Sequence, residues 1–353
     1  MKIFYLTKYA QLGASSRLRS IQYFPYLEEE NYIIYNSPLF NETYLKALYN
    51  KKKSKFFFII LCYIRRFFNL FKVFSYDLLI IEKELFPYFP SYFEYFLKVM
   101  NVKYIVDYDD AIFHNYDLSK NSFIKKFLSK KIDKVMKYST CVFAGNKYLA
   151  KRAEIAGAKK IVLLPTVINH KKYYKIEKNQ SNNLFIIGWI GSPSTYRYLE
   201  KLIPSFKKLK NTYPNIQINI IGAKQQAEVD DFIHYIPWKE STEVLEINKF
   251  DLGVMPLNNT PWELGKCSYK LIQYMGCSVP IMGSPIGMNN EVIIENYNGF
   301  IVNDNEWYEK ISYAINNKDL IKEMGNNGRL LIQEKYNLLM NVDKIIKTIE
   351  ELK

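Results

Sequence analysis

The amino-acid sequence predicts an α/β protein built from two doubly wound, Rossmann-like domains facing each other across a cleft. Three observations carry that expectation. Short β-branched or aromatic runs alternate with helix-period segments along the whole chain, the pattern that builds parallel sheets covered by helices on both faces. The runs fall into two sets. Between the sets lies KKYYKIEKNQSNN, residues 171–183, which is polar, has no apolar periodicity and reads as a linker. With 353 residues, the chain is long enough to give each half its own core.

The first set runs KIFYLT from Lys2, NYIIYN from Asn31, DLLIIEK from Asp77, KYIVDYD from Lys103, TCVFAGN from Thr140 and IVLLPT from Ile161. These strands place a first domain at residues 1–170. The second set runs LFIIGWIG from Leu184, IQINIIG from Ile216, a weaker HYIPW, LGVMPL from Leu252, VPIMGSP from Val279 and GFIVND from Gly299. They place a second domain at 184–335, with a final helix over 336–353 expected to return to the first domain. In open parallel sheets ligands bind beyond the carboxyl ends of the strands, so the loops after each run are where chemistry is sought.

Composition narrows the field. Hydrophobic residues at 48% and charged residues at 24% exclude disorder, collagen and coiled coil as global descriptions. The net charge of +14 calls for an anionic partner, such as nucleic acid, an anionic membrane surface or a phosphorylated substrate. No nucleic-acid recognition motif is present, so nucleic acid is not expected as a partner. The four cysteines lack metal-type spacing, which points to a reducing compartment and away from zinc. MKIFYLTKYAQLG has no apolar signal stretch, and no run reaches the roughly 18 apolar residues of a spanning helix. A cytoplasmic protein is the expectation.

Lysine so dominates the basic residues that each of the seven arginines is informative. In GASSRLRS, after the first strand, Gly13, Ser15 and Ser16 leave backbone N–H groups open to an anion, while Arg17 and Arg19 add planar two-pronged recognition. A capped helix with solvated arginines fits the same residues. The corresponding loop of the second half, within GWIGSPSTYRYLEKL, offers Gly191, Ser192, Ser194 and Thr195 before a helix bearing Arg197, which suits a phosphate. It matches neither a Walker loop nor GxGxxG. In PWELGKCSYKLIQYMGCSVPIMGSP, Gly265 permits close approach, Lys266 and Lys270 supply cations and Ser268 can cap a helix, a set able to offset a diphosphate.

Asp107, Asp109 and Asp110 put three carboxylates in four positions at a strand end, and their repulsion demands cations or shifted pKa values. A metal-binding Asp-x-Asp, contact of Asp109 or Asp110 with sugar or acceptor hydroxyls, and plain helix capping are all open. His114 lies near this loop; His170 and His234 read as structural. Residues 51–74, KKKSKFFFIILCYIRRFFNLFKVF, hold seven basic residues and no acid. Wound as a helix, they place Phe57, Ile60, Leu61, Ile64, Phe68 and Phe71 on one face and Arg65, Arg66, Asn69 and Lys72 opposite. The segment is either an interfacial membrane helix or a crossover helix with its apolar side on the sheet. SKNSFIKKFLSKKIDKVMK adds a second basic face to the same half.

IGWIGSPST after a strand, WELGKCSYKLIQYMGCSVPI, SPIGMNNEVI and NGFIVND together resemble the donor domain of GT-B-fold glycosyltransferases of the retaining family four type. The chain is most similar to bacterial enzymes of surface-polysaccharide assembly, which carry loops like GASSRLR and DYDDAIF. That resemblance implies a nucleotide-diphosphate-sugar held mainly by the second domain, at Gly191, Ser192, Ser194, Arg197, Lys266, Ser268, Lys270 and Gln273. It implies an acceptor held mainly by the first, at Gly13, Ser15, Ser16, Arg17 and Arg19, with Asp109, Asp110, Arg197 and Lys266 serving catalysis. No metal or other cofactor is expected. A lipid-linked glycan acceptor on the anionic inner face of the cell membrane would account for the basic aromatic segment. The family carries two glutamates separated by seven residues, and here Gly265 and Gln273 occupy those places, with Glu263 out of register. A catalytically inactive nucleotide-sugar-binding partner is therefore the alternative.

Overall fold

The computed structural model describes residues 1–49, 56–177, 184–223 and 230–353. It separates into two compact units, one containing Met1–Thr166 with Leu264–Cys267 and Leu339–Lys353, the other Val167–Glu263 with Ser268–Leu338. The unit changes at Thr166 and Val167. Tyr173, inside the stretch read as linker, is buried in the second unit, where its hydroxyl donates to Glu243 and its carbonyl accepts from Arg329. Residues 178–183 of that stretch lie outside the described residues.

All twelve runs form strands. In the first unit β1 (Lys2–Leu6), β2 (Ile33–Asn36), β3 (Leu78–Glu82), β4 (Tyr104–Tyr108), β5 (Cys141–Ala144) and β6 (Ile161–Leu163) make one parallel sheet in the order β2-β1-β3-β4-β5-β6. Every residue of β3 and β4 is buried, as central strands covered on both faces must be, which is why these runs read as continuous rather than alternating apolar sequence. In the second unit β7 (Phe185–Ile190), β8 (Ile216–Ile221), β9 (Ile233–Ile236), β10 (Leu252–Met255), β11 (Ile281–Gly283) and β12 (Gly299–Ile301) form a second parallel sheet in the order β12-β11-β10-β7-β8-β9. Its core packs Trp189 and Ile218 from the sheet with Phe206 and Trp307 from the helices Ile203–Thr212 and Trp307–Asn316.

Strand order reverses between β1 and β3 in the first sheet and between β7 and β10 in the second. The carboxyl ends of those pairs are the crevices where open α/β sheets hold ligands.

Two helices bear on the expectations. Leu338–Glu350 sends most of its length to the first unit: Asn341, fully enclosed, donates to the Tyr23 hydroxyl at 3.0 Å and to the Pro165 carbonyl at 2.7 Å. Phe56–Leu70 buries Cys62 and Arg66, packs Phe58, Ile59 and Tyr63 against Leu39 and Phe40, and leaves Phe56, Phe57, Ile60, Leu61, Ile64, Phe67 and Phe68 exposed, so most of its apolar side does not lie on the sheet. Residues 51–55 of the basic segment lie outside the described residues. Among the described residues no helix is long and apolar enough to cross a membrane.

Candidate functional site

In the first unit the ends of β1, β3 and β4 converge. Register pairs Glu82 with Asp107, so the last residue of β3 faces the start of the acidic loop. Lys83 follows in the left-handed region at φ 68°, a conformation costly for a side chain with a Cβ and held here by its surroundings. Each carboxylate of the loop has its own cation. Arg19 grips Asp107 with Nε 2.9 Å from Oδ2 and a second contact from Nη2, Lys83 Nζ lies 2.8 Å from Asp109 Oδ1, and Lys266 Nζ lies 3.3 Å from Asp110 Oδ1. The repulsion anticipated from sequence is thus met residue by residue. Burial pushes the Asp109 carboxyl up, but Lys83 beside it, Arg19 and the Ser15 hydrogen bond outweigh that and hold it down at about 2.

The GASSRLRS loop serves this cluster. Ser15 Oγ lies 2.7 Å from Asp109 Oδ2 and 2.8 Å from Glu82 Oε1, so its one proton serves two carboxylates in turn. Ser16 donates to Glu82 and accepts from the Tyr9 N–H at 2.9 Å, while the Lys8 N–H donates to Glu82 Oε2 at 2.8 Å. Gly13 donates its N–H to the Ala10 carbonyl and starts the short helix Ala14–Arg19. Arg19, expected to meet a ligand, is enclosed. Its remaining nitrogen donates to the Leu164 carbonyl at 2.6 Å, so the guanidinium is committed to joining β4 to the residue that follows β6. Arg17 is half-buried and donates to the Gln11 carbonyl. The Asp110 side chain, 31% exposed against 4% for Asp107, is the carboxylate most open to a substrate. His114 belongs elsewhere, between Asp117 and the Tyr148 hydroxyl at 2.8 Å each.

Lys266 is carried by Leu264–Cys267, which belongs to the first unit by its contacts. Asn146 holds it there, donating to the Leu264 carbonyl at 3.2 Å and the Lys266 carbonyl at 3.0 Å while its own oxygen caps the helix Lys147–Ala156. Gly265 packs so tightly that a Cβ would lie 2.6 Å from the Ala111 nitrogen and 2.5 Å from its Cβ. The place where the resembled family has a glutamate admits no side chain in this conformation.

In the second unit the loop after β7 is built for a close approach. Gly222, at φ 85°, lies against it, and a Cβ there would come 2.5 Å from the Gly191 carbonyl oxygen. Ser192 and Ser194 face each other at 2.9 Å, and Thr195 donates back to the Ser192 carbonyl at 3.0 Å. Arg197, its side chain 64% exposed, donates to the Tyr198 hydroxyl at 3.0 Å; that hydroxyl donates to the buried Glu263, which also accepts from Thr260. Lys270 Nζ lies 5.1 Å from the centre of the Trp189 ring, a cation–π distance.

Besides Arg19, two further residues differ from their sequence reading. Ser268 does not cap the helix Tyr269–Gly276: it adopts φ 49° and donates instead to Asn289 Oδ1 at 2.7 Å. Gln273 is buried with its amide donating to the Tyr173 hydroxyl at 3.0 Å, inside a network closed by Glu243. Glu82, Lys83 and Asn146 were not singled out from sequence, and Glu263 was noted only as out of register. The Glu-Lys pair ends the apolar run DLLIIEK, while Asn146 and Glu263 combine a local bond, from the Leu149 N–H and from Thr260, with long-range ones to Leu264, Lys266 and Tyr198.

Comparison with known proteins gives partial sequence matches and whole-chain structural ones. The chain is 24% identical over 180 residues to the capsular polysaccharide biosynthesis glycosyltransferase CapM of Staphylococcus aureus, covering 47% of this chain and 45% of that protein. It is 21% identical over 249 residues to the trehalose synthase of Thermococcus litoralis, covering 63% and 59%. The match thus spans less than two thirds of the length of these relatives. Among solved structures, sucrose-phosphate synthase from Thermosynechococcus elongatus superposes with a TM-score of 0.73 at 12% identity over 100% of this chain and 99% of that one. Anabaena HepE in complex with UDP-glucose gives 0.70 at 12% identity over 99% and 100%. At such low identity these superpositions show a shared fold alone. The stretch that holds the Gly191 loop, Arg197, Lys266 and Lys270, residues 170–331, matches the family model of the glycosyl transferases group 1.

Proposed function

We propose that this chain is a retaining glycosyltransferase that moves a sugar from a nucleotide-diphosphate-sugar to a lipid-linked or polysaccharide acceptor in the assembly of bacterial cell-surface glycan. The observation that carries the reading is the Gly191–Thr195 loop at the strand-order reversal of the second sheet, with the exposed guanidinium of Arg197 beside it and all of it within the matched stretch. The solved neighbour with UDP-glucose bound supports a nucleotide sugar as donor. In this reading Gly191, Ser192 and Ser194 receive the diphosphate, and Arg197, Lys266 and Lys270 stabilise the charge that grows on it as the glycosidic bond breaks. The acceptor hydroxyl attacks from the face the leaving group departs, and Asp110 accepts its hydrogen bond while Lys83 and Ser15 keep Asp109 ionised beside it. Each acidic side chain of the loop already has a cation, which supports chemistry without a metal ion. The four free cysteines support a cytoplasmic site of action, and the lipid-linked acceptor places the protein peripherally on the inner membrane face.

A second reading, an inactive nucleotide-sugar-binding partner, is favoured by Gly265 and by the buried Gln273 at the two glutamate positions. One experiment separates the two. Purified protein is melted with a panel of nucleotide sugars, and stabilising donors are then offered with lipid-linked acceptors. Stabilisation followed by product formation is expected; stabilisation with no transfer to any acceptor selects the binding partner, and no stabilisation by any nucleotide sugar overturns both.

A further inference from the structure

The helix Phe56–Leu70 buries one narrow side, where Phe58, Ile59, Cys62 and Tyr63 pack with Leu39 and Phe40, and leaves a second, broader apolar side exposed. Polar side chains share that buried side: Arg66, 2% exposed, donates to the Thr7 carbonyl at 2.6 Å and the Ser37 carbonyl at 2.9 Å. Arg65 donates to the carbonyls of Pro38 and Leu39, and Asn69 to the Ser37 hydroxyl. These bonds fix the helix about its axis, since rotating the apolar side inward would strand five backbone or hydroxyl acceptors and a buried guanidinium. The outward side therefore carries Phe57, Ile60, Ile64 and Phe68, the first and last of them 69% and 60% exposed.

That side is not isolated. Tyr92–Val99 lies next to it and exposes Tyr92, Phe96 and Val99. An edge-on contact of Phe67 with Phe93 at 5.8 Å joins the two helices, and Phe74, in the turn Val73–Ser75 after the first of them, meets Phe96 at 6.4 Å and extends the apolar surface. An exposed patch of this extent on a soluble unit marks something that covers it.

We infer that this surface docks on a lipid leaflet bearing anionic headgroups. Charge selects that occupant. Residues 56–76 contain no Asp or Glu, and the one acid in 88–101, Glu94, is buried. Lys72 and Lys98 are exposed on the two segments. A second copy of a chain with net charge +14 would bring the same sign to the contact, whereas an anionic leaflet brings the opposite one. A helix of 15 residues, about 22 Å long, lies in the interface plane rather than across it. The inference rests on the proposed transfer only in giving docking a purpose, which is access to a lipid-linked acceptor.

Sedimentation with vesicles, free of nucleotide sugar and acceptor, tests docking apart from catalysis. The full chain should bind phosphatidylcholine vesicles containing phosphatidylglycerol, bind pure phosphatidylcholine far less, and release with added salt. Phe57→Ser with Phe68→Ser on one helix, and Tyr92→Ser with Phe96→Ser on the other, should each lower binding roughly tenfold or more. Tyr313→Ser with Leu330→Ser, exposed on the second unit, should leave it unchanged. Because Phe68 is exposed, Phe68→Trp keeps the fold and reports directly: its emission should be quenched by brominated anionic lipid. Absence of both vesicle binding and quenching overturns the assignment. So does concentration-dependent self-association lost in the same Ser variants, which would make a second copy the occupant.

Discussion

Lys83 combines a left-handed backbone with an ammonium enclosed against Asp109, so its contribution is measurable apart from any ligand. The Asp109 carboxyl falls from its ordinary 3.8 to about 2, and a depressed acid adds stability that is complete above 3.8 and lost as pH falls through 2. Lys83→Met should therefore destabilise the protein at pH 7 by on the order of 2 kcal/mol, with the deficit shrinking between pH 4 and pH 2 as the orphaned carboxylate takes up a proton. Urea unfolding at several pH values checks this, and a deficit independent of pH would refute the pairing. Lys266 is expected to act in the transition state. Lys266→Ala should lower kcat by roughly a hundredfold while raising the donor KM far less, with Lys266→Arg restoring only part and the surface control Lys239→Ala changing little. Wild-type turnover in Lys266→Ala would remove it from catalysis.

At the scale of elements, the loop Leu264–Cys267 shows how packing overrides a family pattern. Asn146 pins its carbonyls and Ala111 fills the space beside Gly265. Gly265→Glu, which would rebuild the glutamate of the resembled family, should not raise activity: the added Cβ must displace backbone and should cost about 1–3 kcal/mol, seen as a lowered Tm. A variant that is as stable as wild type and transfers faster would show that the loop is open. The helix Phe56–Leu70 follows a similar logic in reverse, because backbone acceptors at Thr7, Ser37, Pro38 and Leu39 claim its arginines, only Phe58, Ile59, Cys62 and Tyr63 find an apolar pocket beside them, and most of its apolar residues are left outward.

The whole molecule is strongly basic, yet around its acidic loop charge is balanced locally. Arg19, Lys83 and Lys266 each answer one carboxylate of the acidic loop, leaving that loop with little net charge to attract a divalent cation. Turnover should accordingly persist undiminished in excess chelator. Full loss restored by manganese would move Asp107, Asp109 and Asp110 into a metal-binding role.

The sequence by itself determined twelve strands, their grouping into two sheets and the loops where polar residues gather, because strand runs and turn residues are local signals. It also separated the two faces of the basic aromatic helix. Which face turns inward was decided only by tertiary structure, since the carbonyls that bind Arg65 and Arg66 come from loops 26 to 59 residues away in sequence. Long-range contact likewise turned Arg19 from a ligand-binding candidate into the enclosed partner of Asp107, 88 residues on, and drew Lys266 to Asp110 across 156 residues. Ser268 and Gln273 took buried partners for the same reason: a polar side chain carries its hydrogen-bonding capacity in its identity, but burial requires that capacity to be met by whatever the fold brings near.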